Sequence, residues 1–504
     1  MVNNLLPFVF ALPLLGAGVA PLTRRSAWLQ RALLLAVPAA VLVFAISLVA
    51  ETRDGDVVTE QVAGWVPGIA IPFAADTFSA LVLLVMAMLI LLCSAFLIAT
   101  GDERDPSVIP LVLVMSGGVF GAVVTADLFN FFVMIEVALI PSYVLITKSA
   151  QKAQLAAGRI YLMVNLFGSS ILLGGVALVY AVNGSVQLGE LAGAGSASGI
   201  AAFAGSVVLI ALALKGALVP LHGWLPRTYP YTSPAITALF SGLLTKIGIY
   251  GLFRIVSVYF DGAESVQTVV LVVCIATMVI GAFGALGQTT MRSILVYSTV
   301  SQAGYIAVGL GFFGVTGLAA AIFYLLHEMI VKASLFLSAG AVETHHGTGQ
   351  INRLGGIARR EPLLGAAFLI AALSLAGIPP FSGFVAKFTV VRAAMDEQQY
   401  IAAGVAVAVS LITLLYMLKI WNAAFWGHES SDRSERVVSS GGGTVAVTTA
   451  SQVRIATPLI VPGIVLALVT TSLGLGGEFL LSLAETAAHG LVDSSTYVEA
   501  LTGR

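Results

Sequence analysis

The sequence predicts an all-α polytopic membrane protein with about fourteen transmembrane helices and two inverted five-helix repeats that contain broken helices. Residues of the types AVILMFWYC make up 58% of the 504 residues, only 10% are charged, and the mean hydropathy is +1.00. This composition leaves too little polar surface for a water-soluble globule. Apolar stretches of about 20 residues recur along the chain, and two proline-containing segments match each other at an offset of 160 residues.

The apolar stretches also predict helix positions and orientation. At about 20 apolar residues for each crossing, helices are expected near residues 14, 40, 87, 117, 137, 171, 211, 245, 277, 302, 328, 375, 411 and 467. Connections after odd-numbered helices hold fifteen of the 24 lysines and arginines, whereas the other connections and the C-terminal tail hold four, Arg53, Arg254, Arg392 and Arg504. Because Lys and Arg concentrate in cytoplasmic loops, we predict a multi-pass protein of the cell membrane with both termini outside. No positive region precedes the first apolar run, so we expect this run to remain as a helix.

The two matching segments, Pro220–Trp224 and Pro380–Phe384, share the pattern Pro-x-x-Gly-aromatic. Five helices, an odd number, separate corresponding members, so the two copies should be inverted in the membrane. The sequence therefore predicts five units: helices 1–3 in 1–105, the first repeat (helices 4–8) in 106–260, the second, inverted repeat (helices 9–13) in 261–427, a flexible cytoplasmic loop in 428–455, and helix 14 with the C-terminal tail in 456–504.

Five lysines remain outside the connections, and they lie within apolar stretches: Lys215, Lys246, Lys332, Lys387 and Lys419. On this count no arginine joins them. Lysine is the cation whose pKa shifts readily on burial, whereas arginine stays charged. An all-lysine set favours groups that gain and lose protons, except that Lys419, near a helix end, is interpreted as an anchor at the membrane surface.

Glu136 lies nine residues after Asp127 and therefore about 14 Å deeper along a helix, near the membrane midplane. A lone carboxylate at this depth is costly, so we expect a partner. Lys215 precedes Pro220, whose missing N–H leaves the Gly216 carbonyl free and should break the helix beside the lysine. We predict a Glu136–Lys215 ion pair in a proton path, with a static pair between two helices as the alternative. Asp127 is interpreted as a solvated helix start.

Two further apolar stretches carry candidate proton relays. Lys246 has hydroxyl side chains nearby in the sequence, and a fixed structural pair is its alternative role. Glu328 and Lys332 are four residues apart in a later stretch and can pair on one helix face. His327 titrates near neutrality when unperturbed and could pass protons. The alternative is a neutral His327 that is hydrogen-bonded between helices.

Lys387 follows the second proline-containing segment, in which the prolines free the carbonyls of Leu375 and Ala376. We therefore predict a second helix break, with Lys387 as an exit residue or switch and a structural pair as the alternative. His222 lies in the first break, where a relay role and a polar lining are equally plausible.

Several other classes of protein are disfavoured. The 24 basic and 25 acidic residues nearly cancel, so there is no basic excess to bind nucleic acid. The two cysteines, Cys93 and Cys274, lie in apolar stretches, and the adjacent His345 and His346 lack helical metal-ligand spacing. Neither a phosphate-binding loop nor a dinucleotide fingerprint is present. We therefore expect no cofactor and no metal, and neither an ATP-driven pump nor a redox protein.

Taken together, these stretches resemble the proton-antiporter family shared by respiratory complex I and the multisubunit Mrp sodium/proton antiporters. The motifs that carry the resemblance are Glu136, Lys215, the run His222–Lys246, and the segment Gly377–Lys387. The resemblance covers most of the chain. Two features are similar to the D-type member of the Mrp antiporters: lysine rather than glutamate at position 387, and the sequence motif His327-Glu328-x-x-x-Lys332.

The resemblance implies a proton-translocating subunit whose complex exchanges protons for sodium. It also implies that the subunit needs sister subunits of the A, B, C, E, F and G types. It also implies a role for each buried charge: a first charge pair at Glu136 and Lys215, a central relay at Lys246, a bridge at Lys332 with His327, and a terminal site at Lys387.

Two alternatives remain open from the residues. The chain could be a membrane-arm subunit of a complex I-like oxidoreductase or hydrogenase, which copurifying iron–sulfur or flavin subunits would favour. It could also be a structural scaffold whose buried charges only join helices, without an ion path of its own.

Overall fold

The computed structural model of the protein describes residues 5–62, 70–148, 151–427 and 454–503. Within these ranges ten helical segments are long and apolar enough to cross a membrane, and four shorter apolar helices accompany them. Each predicted helix centre falls inside one of these segments. The all-α, multi-pass class is thus confirmed, whereas the number of helices that cross the membrane stays a prediction. The predicted loop 428–455, except its last two residues, lies outside the described ranges.

The helices before the middle of the chain are α1 (Phe8–Val19), α2 (Ala27–Thr52), α3 (Thr77–Thr100), α4 (Val108–Val124), α5 (Leu128–Thr147), α6 (Lys152–Asn183), α7 (Ala194–Ala197), α8 (Gly199–Lys215), α9 (Trp224–Thr228), α10 (Pro234–Leu239) and α11 (Thr245–Arg254). Those that follow are α12 (Glu264–Leu286), α13 (Met291–Ala307), α14 (Val315–His346), α15 (Ile357–Arg360), α16 (Pro362–Ala376), α17 (Ser382–Asp396), α18 (Tyr400–Ile420), α19 (Thr457–Leu475), α20 (Gly477–Val492) and α21 (Ser495–Thr502).

A short antiparallel hairpin accompanies the helices. Its strands are β1 (Val58–Gln61) and β2 (Pro72–Ala75), and Val58 pairs with Ala75. The hairpin lies in the long acidic connection between α2 and α3, for which the sequence predicted no strand.

Both predicted helix breaks are present. Helix α8 ends at Lys215, and α9 begins only at Trp224, after a short 3-10 helix, Leu221–Gly223. Helix α16 ends at Ala376, and α17 begins only at Ser382. Each break contains the proline that removes a helical N–H donor. The inverted relation between the two halves of the chain stays a prediction.

Connections of the same parity contact one another. At one end of the bundle, Phe73 bridges Thr125 and Asp127 bridges Gln187. At the other end, Thr290 bridges Gln350, and Arg31 in the first turns of α2 pairs with Glu103 of the next odd-numbered connection at 2.6 Å. The two sets of contacts fit helices that run alternately up and down between two polar ends.

The centre of the bundle is formed by α14, by the helical span Pro234–Tyr259 and by the helical span Met291–Phe312. The apolar cores of the first two are wholly buried, and that of the third nearly so. Helix α14 packs against α3, α10, α13, α16, α17, α19 and α20. Polar groups on these central helices are therefore removed from lipid and can contact only protein or enclosed water.

Candidate functional site

The first charge pair joins α5 and α8 and uses a hydroxyl from α6. Lys215 Nζ lies 3.9 Å from Glu136 Oε1, so the predicted ion pair is present. Lys215 Nζ also donates to Ser169 Oγ at 3.0 Å, and that hydroxyl donates to Glu136 Oε1. The Lys215 side chain is 5% exposed, against 21% for Glu136. Sequence reasoning did not select Ser169, because nothing in its spacing along α6 reveals a partner on two other helices.

Lys215 also lines a small cavity that faces α11. The cavity has a volume of about 10 Å³ and is bounded further by Asn165, Ile247 and Gly248. This is about the space that one water molecule requires. A Cβ at Gly248 would lie 2.9 Å from the carbonyl carbon of Lys215, so glycine permits α11 to cross the end of α8 closely.

The central pair joins α11 and α14. Lys246 Nζ lies 2.6 Å from Glu328 Oε2, and both side chains are fully buried. The sequence suggested that Glu328 pairs with Lys332 on its own helix, but the carboxylate faces Lys246 instead. A π-helical turn, Phe240–Leu244, immediately precedes α11. Such turns occur frequently at functional sites. Apart from the ion pair, neither Lys246 Nζ nor the Glu328 carboxylate has a hydrogen-bond partner among the described residues.

Lys332 lies one helical turn beyond Glu328 and is also fully buried. Its Nζ donates to the Leu295 carbonyl of α13 at 3.0 Å. It therefore lies near the Glu328 carboxylate while forming its hydrogen bond elsewhere. Glu328 thus pairs directly with Lys246, whereas Lys332, without a contact to Glu328 within 4.0 Å among the described residues, interacts with it electrostatically at longer range.

His327 contacts a group of hydroxyls that sequence reasoning missed. Its Nδ1 lies 2.8 Å from Ser382 Oγ, at the start of α17. Ser382 Oγ lies 2.6 Å from Thr470 Oγ1 of α19, and Thr470 lies 3.1 Å from Ser374 Oγ of α16. The second ring nitrogen of His327 has no hydrogen-bond partner among the described residues. Four helices thus meet at polar atoms beside the second break.

Lys387 uses the carbonyl that the second break frees. Its Nζ donates to the Ala376 oxygen at 3.2 Å, one of the two acceptors expected from the proline positions. The same ammonium group lies 5.2 Å from the centre of the Tyr305 ring, within range of a cation–π interaction. No carboxylate lies within 4.0 Å of Lys387 in the described part of the chain.

Arg254 corrects the expectation that only lysines are buried. The sequence count assigned Arg254 to an outer connection, but it lies in α11 and is 4% exposed. Its two terminal nitrogens donate to the Asp76 carboxylate at 2.7 and 2.5 Å. The guanidinium also lies 4.9 Å from the centre of the Tyr497 ring in the C-terminal helix α21. This geometry is typical of a structural arginine pair.

The remaining candidates lie near helix ends or in the first break. Lys419 Nζ donates to the carbonyls of Leu286 and Gln288 at the end of α12, a contact that suits an anchor. Asp127 starts α5 by accepting a hydrogen bond from the Asn130 amide at 2.7 Å, as expected, but it is buried rather than solvated. His222 is half-buried, and its Nδ1 has no hydrogen-bond partner among the described residues.

No group of three or more His, Cys, Asp or Glu residues in the described ranges is arranged to hold a metal ion. His345 and His346 form the end of α14 rather than a separate loop. The described charges are therefore organised as ion pairs and lysine–carbonyl contacts.

Comparison with known proteins gives the family. Residues 125–413 match the family described as NADH:quinone oxidoreductase/Mrp antiporter, transmembrane. The D subunit of the Na(+)/H(+) antiporter of Alkalihalophilus pseudofirmus is 34% identical over 99% of this chain and 99% of its own length. The D subunit of the Na(+)/H(+) antiporter of Bacillus subtilis is 32% identical, again over 99% of each chain.

Solved structures agree with this relationship. A chain in the structure of the Mrp complex from Dietzia sp. DQ12-45-1b is 46% identical, covers 100% of both chains and has a TM-score of 0.93. A chain of respiratory complex I from Thermus thermophilus, 23% identical with a TM-score of 0.75, covers 94% of this chain and 98% of its own length and shares the fold alone. The chain therefore belongs to the NADH:quinone oxidoreductase/Mrp antiporter transmembrane family, and within it to the D-type members of the Mrp antiporters.

Proposed function

We propose that this chain is the proton-translocating D-type component of a multisubunit sodium/proton antiporter in the cell membrane, a secondary transporter rather than an enzyme. Relatives that cover its full length are D subunits of sodium/proton antiporters. The solved structure with 46% identity is that of an Mrp complex. Its partners are the other antiporter subunits, of the A, B, C, E, F and G types, together with protons and sodium.

The observation that carries this proposal is the fully buried Lys246–Glu328 pair at the centre of the bundle. Ionisable groups inside a membrane protein are costly and commonly mark ion or proton pathways. A salt bridge buried to this extent is by itself weak support for stability, because its desolvation offsets much of its attraction. A role in moving protons therefore explains the pair better than a role in holding two helices together.

The buried groups form a row that crosses the bundle from α5 to α17. Glu136 and Lys215 lie at one end of this row. Helix α11 packs against the end of α8 at Gly248 and carries Lys246, which reaches Glu328 on α14. Helix α14 continues the row with Lys332 and with His327, which contacts the hydroxyls beside Lys387.

Through Glu328, the protonation state of Lys246 affects that of Lys332. With both lysines protonated, one carboxylate faces two positive charges, and the group has a net charge of +1. When either lysine releases its proton, the other lysine no longer experiences repulsion from it and is held more favourably beside Glu328. Proton gain on one side thus favours proton loss on the other, by ordinary attraction and repulsion in a medium of low dielectric.

Electrostatic repulsion between lysines also couples the Glu136–Lys215 pair to the Lys246–Glu328 pair. A proton change at Lys246 alters the repulsion felt by Lys215 and hence how tightly Lys215 holds Glu136. At the other end, Lys387 has a carbonyl and an aromatic ring as partners, and no carboxylate within 4.0 Å among the described residues that would retain its proton. That arrangement suits a terminal site that passes protons on.

We assign the polar end that carries the odd-numbered connections to the cytoplasm, with both chain termini outside. The support is the distribution of lysine and arginine along the sequence.

The test is sodium-dependent proton movement in everted vesicles that contain the whole complex, in a host without its own sodium/proton antiporters. Wild type is compared with Glu136→Ala, Lys215→Ala and Lys246→Ala at matched amounts of assembled complex. Lys152→Ala serves as the control, because Lys152 is an exposed lysine outside the row. We expect the three buried-charge variants to assemble and to lose transport while the control retains it.

Wild-type transport by all three variants would contradict the proposal. The buried charges would then be structural, and the proton route would lie in another subunit.

A further inference from the structure

The hydroxyl of Ser169 lies between the two charges of the first pair. Lys215 Nζ is 3.0 Å from Ser169 Oγ but 3.9 Å from Glu136 Oε1. Ser169 Oγ in turn donates to that same carboxylate oxygen. The hydrogen-bonded connection from the ammonium group to the carboxylate therefore passes through the serine oxygen.

The central pair is built differently. Lys246 Nζ contacts Glu328 Oε2 directly at 2.6 Å, and no hydroxyl among the described residues bridges them. Of the two lysine–glutamate pairs in the described ranges, the first is bridged by a hydroxyl and the second is direct.

The use of the Ser169 hydroxyl also differs from that of its neighbour. Serine side chains within helices commonly donate back to a carbonyl of their own helix. Ser170 does so, since its Oγ donates to the Leu166 carbonyl at 3.0 Å. Ser169, which is 6% exposed, directs its donated hydrogen bond to Glu136 on another helix.

We infer that Ser169 passes protons between Lys215 and Glu136, an inference that rests on the function proposed above. In the forward step the Lys215 ammonium group gives one proton to Ser169 Oγ while the original hydroxyl proton moves to Glu136 Oε1. One N–H and one O–H bond break, and two O–H bonds form. The products are a neutral amine, an intact hydroxyl and a neutral carboxylic acid, and the reverse step restores the ion pair.

This step changes the electrostatics without a change in position. The ion pair becomes a neutral pair while the three side chains stay in place. Lys215 also lines the small cavity toward α11. A proton that reaches Lys215 from that side can therefore continue to Glu136, and one that reaches Glu136 can return.

The test compares Ser169→Thr with Ser169→Val in the whole complex. Thr and Val have nearly the same shape, but Thr keeps the hydroxyl and Val does not. Ser169→Ala is the smaller deletion, and Ser170→Ala is the matched control on the same helix. Initial rates of sodium-dependent proton movement and their pH profiles are measured in everted vesicles at equal amounts of assembled complex.

We expect Ser169→Thr and Ser170→Ala to transport at rates close to wild type. Ser169→Val and Ser169→Ala should be slower by about tenfold or more, since positioned proton-transfer groups commonly contribute at least that much. Their residual transport should also show an altered pH profile, which a purely structural substitution would not produce.

Wild-type rates and pH profiles in the Val and Ala variants would overturn the inference. Glu136→Gln, measured alongside, distinguishes an error in the role of Ser169 from an error in the proposed function. If it abolishes transport while Ser169→Val does not, only the role of Ser169 is wrong. If it also leaves transport intact, the proposed function itself fails. Failure of both Val and Ala variants to assemble, with Thr assembled, would mark the hydroxyl as structural and likewise overturn the inference.

Discussion

At Lys246, a charged ammonium group is enclosed by protein on all sides, and the Glu328 carboxylate is its compensation. Removal of one member of such a pair leaves an uncompensated buried charge, whereas removal of both leaves an apolar interior. The stability of variants therefore reveals whether the two groups are charged together in the folded protein.

We expect Lys246→Met and Glu328→Leu, as single substitutions, each to destabilise the protein by about 3–5 kcal/mol. The double variant should recover most of this loss, because neither charge then remains. Thermal melting of the solubilised complex is the measurement. Strictly additive losses in the double variant would contradict a coupled ion pair.

Arg254 gives a contrasting prediction, because its pair with Asp76 is bidentate and structural. Lysine cannot reproduce the forked geometry, so Arg254→Lys should lower stability by about 2 kcal/mol while transport per assembled complex is retained. The matched control is Arg392→Lys, since Arg392 and Asp396 form an exposed pair. That change should shift stability by less than about 0.5 kcal/mol. Loss of transport by an assembled Arg254→Lys complex would instead place Arg254 in the ion path.

At this scale the sequence predicts which residue types are buried better than it predicts their partners. The Glu136–Lys215 pair could be predicted, because each group is costly alone and one lies beside a proline break. The partner of Glu328 could not, since Lys332 satisfies the local helical spacing equally well. Arg254 was assigned to a connection because it lies near the end of its apolar stretch, where sequence alone does not distinguish a helix end from a loop.

Among the helices, the breaks determine where backbone acceptors become available. The prolines before α17 predicted a free Ala376 carbonyl, and Lys387 uses it. The cluster of hydroxyls from Ser382, Ser374 and Thr470 was not predictable, because Thr470 on α19 lies far from the other two residues in sequence. The π-helical turn before α11 likewise leaves no recognisable pattern in the sequence.

Gly383 tests how closely the second break must pack. A Cβ at this position would overlap the Ser374 carbonyl oxygen and lie 3.0 Å from His327 Nε2. Gly383→Ala should therefore cost about 1–3 kcal/mol in stability and impair transport by displacing α17 from His327. Gly404→Ala is the control, since a Cβ there would meet nothing within 4 Å. Melting temperature and vesicle transport are measured for both, and equal behaviour of the two variants would contradict the close packing.

Over the whole molecule, connections of the same parity meet at the same end of the bundle. From the lysine and arginine distribution we propose that the end with the odd-numbered connections faces the cytoplasm. Composition and hydropathy were sufficient to predict the membrane class and the position of each apolar helix. They were not sufficient to predict the hairpin, because each of its strands has only four residues.

Cysteine labelling tests this orientation. The native Cys93 and Cys274 are buried and should react little. We expect a membrane-impermeant maleimide to label Ser495→Cys in intact cells and Gln350→Cys only in everted vesicles. The opposite result would invert the topology, and labelling of both from one side would contradict the alternation.

If the buried charges carry protons, the Lys246→Met/Glu328→Leu double variant should form a stable complex that does not transport. If this complex assembles and melts like wild type, any defect in transport cannot be attributed to folding. Sodium-dependent proton movement is then measured in everted vesicles at matched amounts of complex. Because this variant lacks both members of the central pair, we expect transport at the background level of vesicles without the complex. Transport at the wild-type rate would show that protons do not pass through this pair.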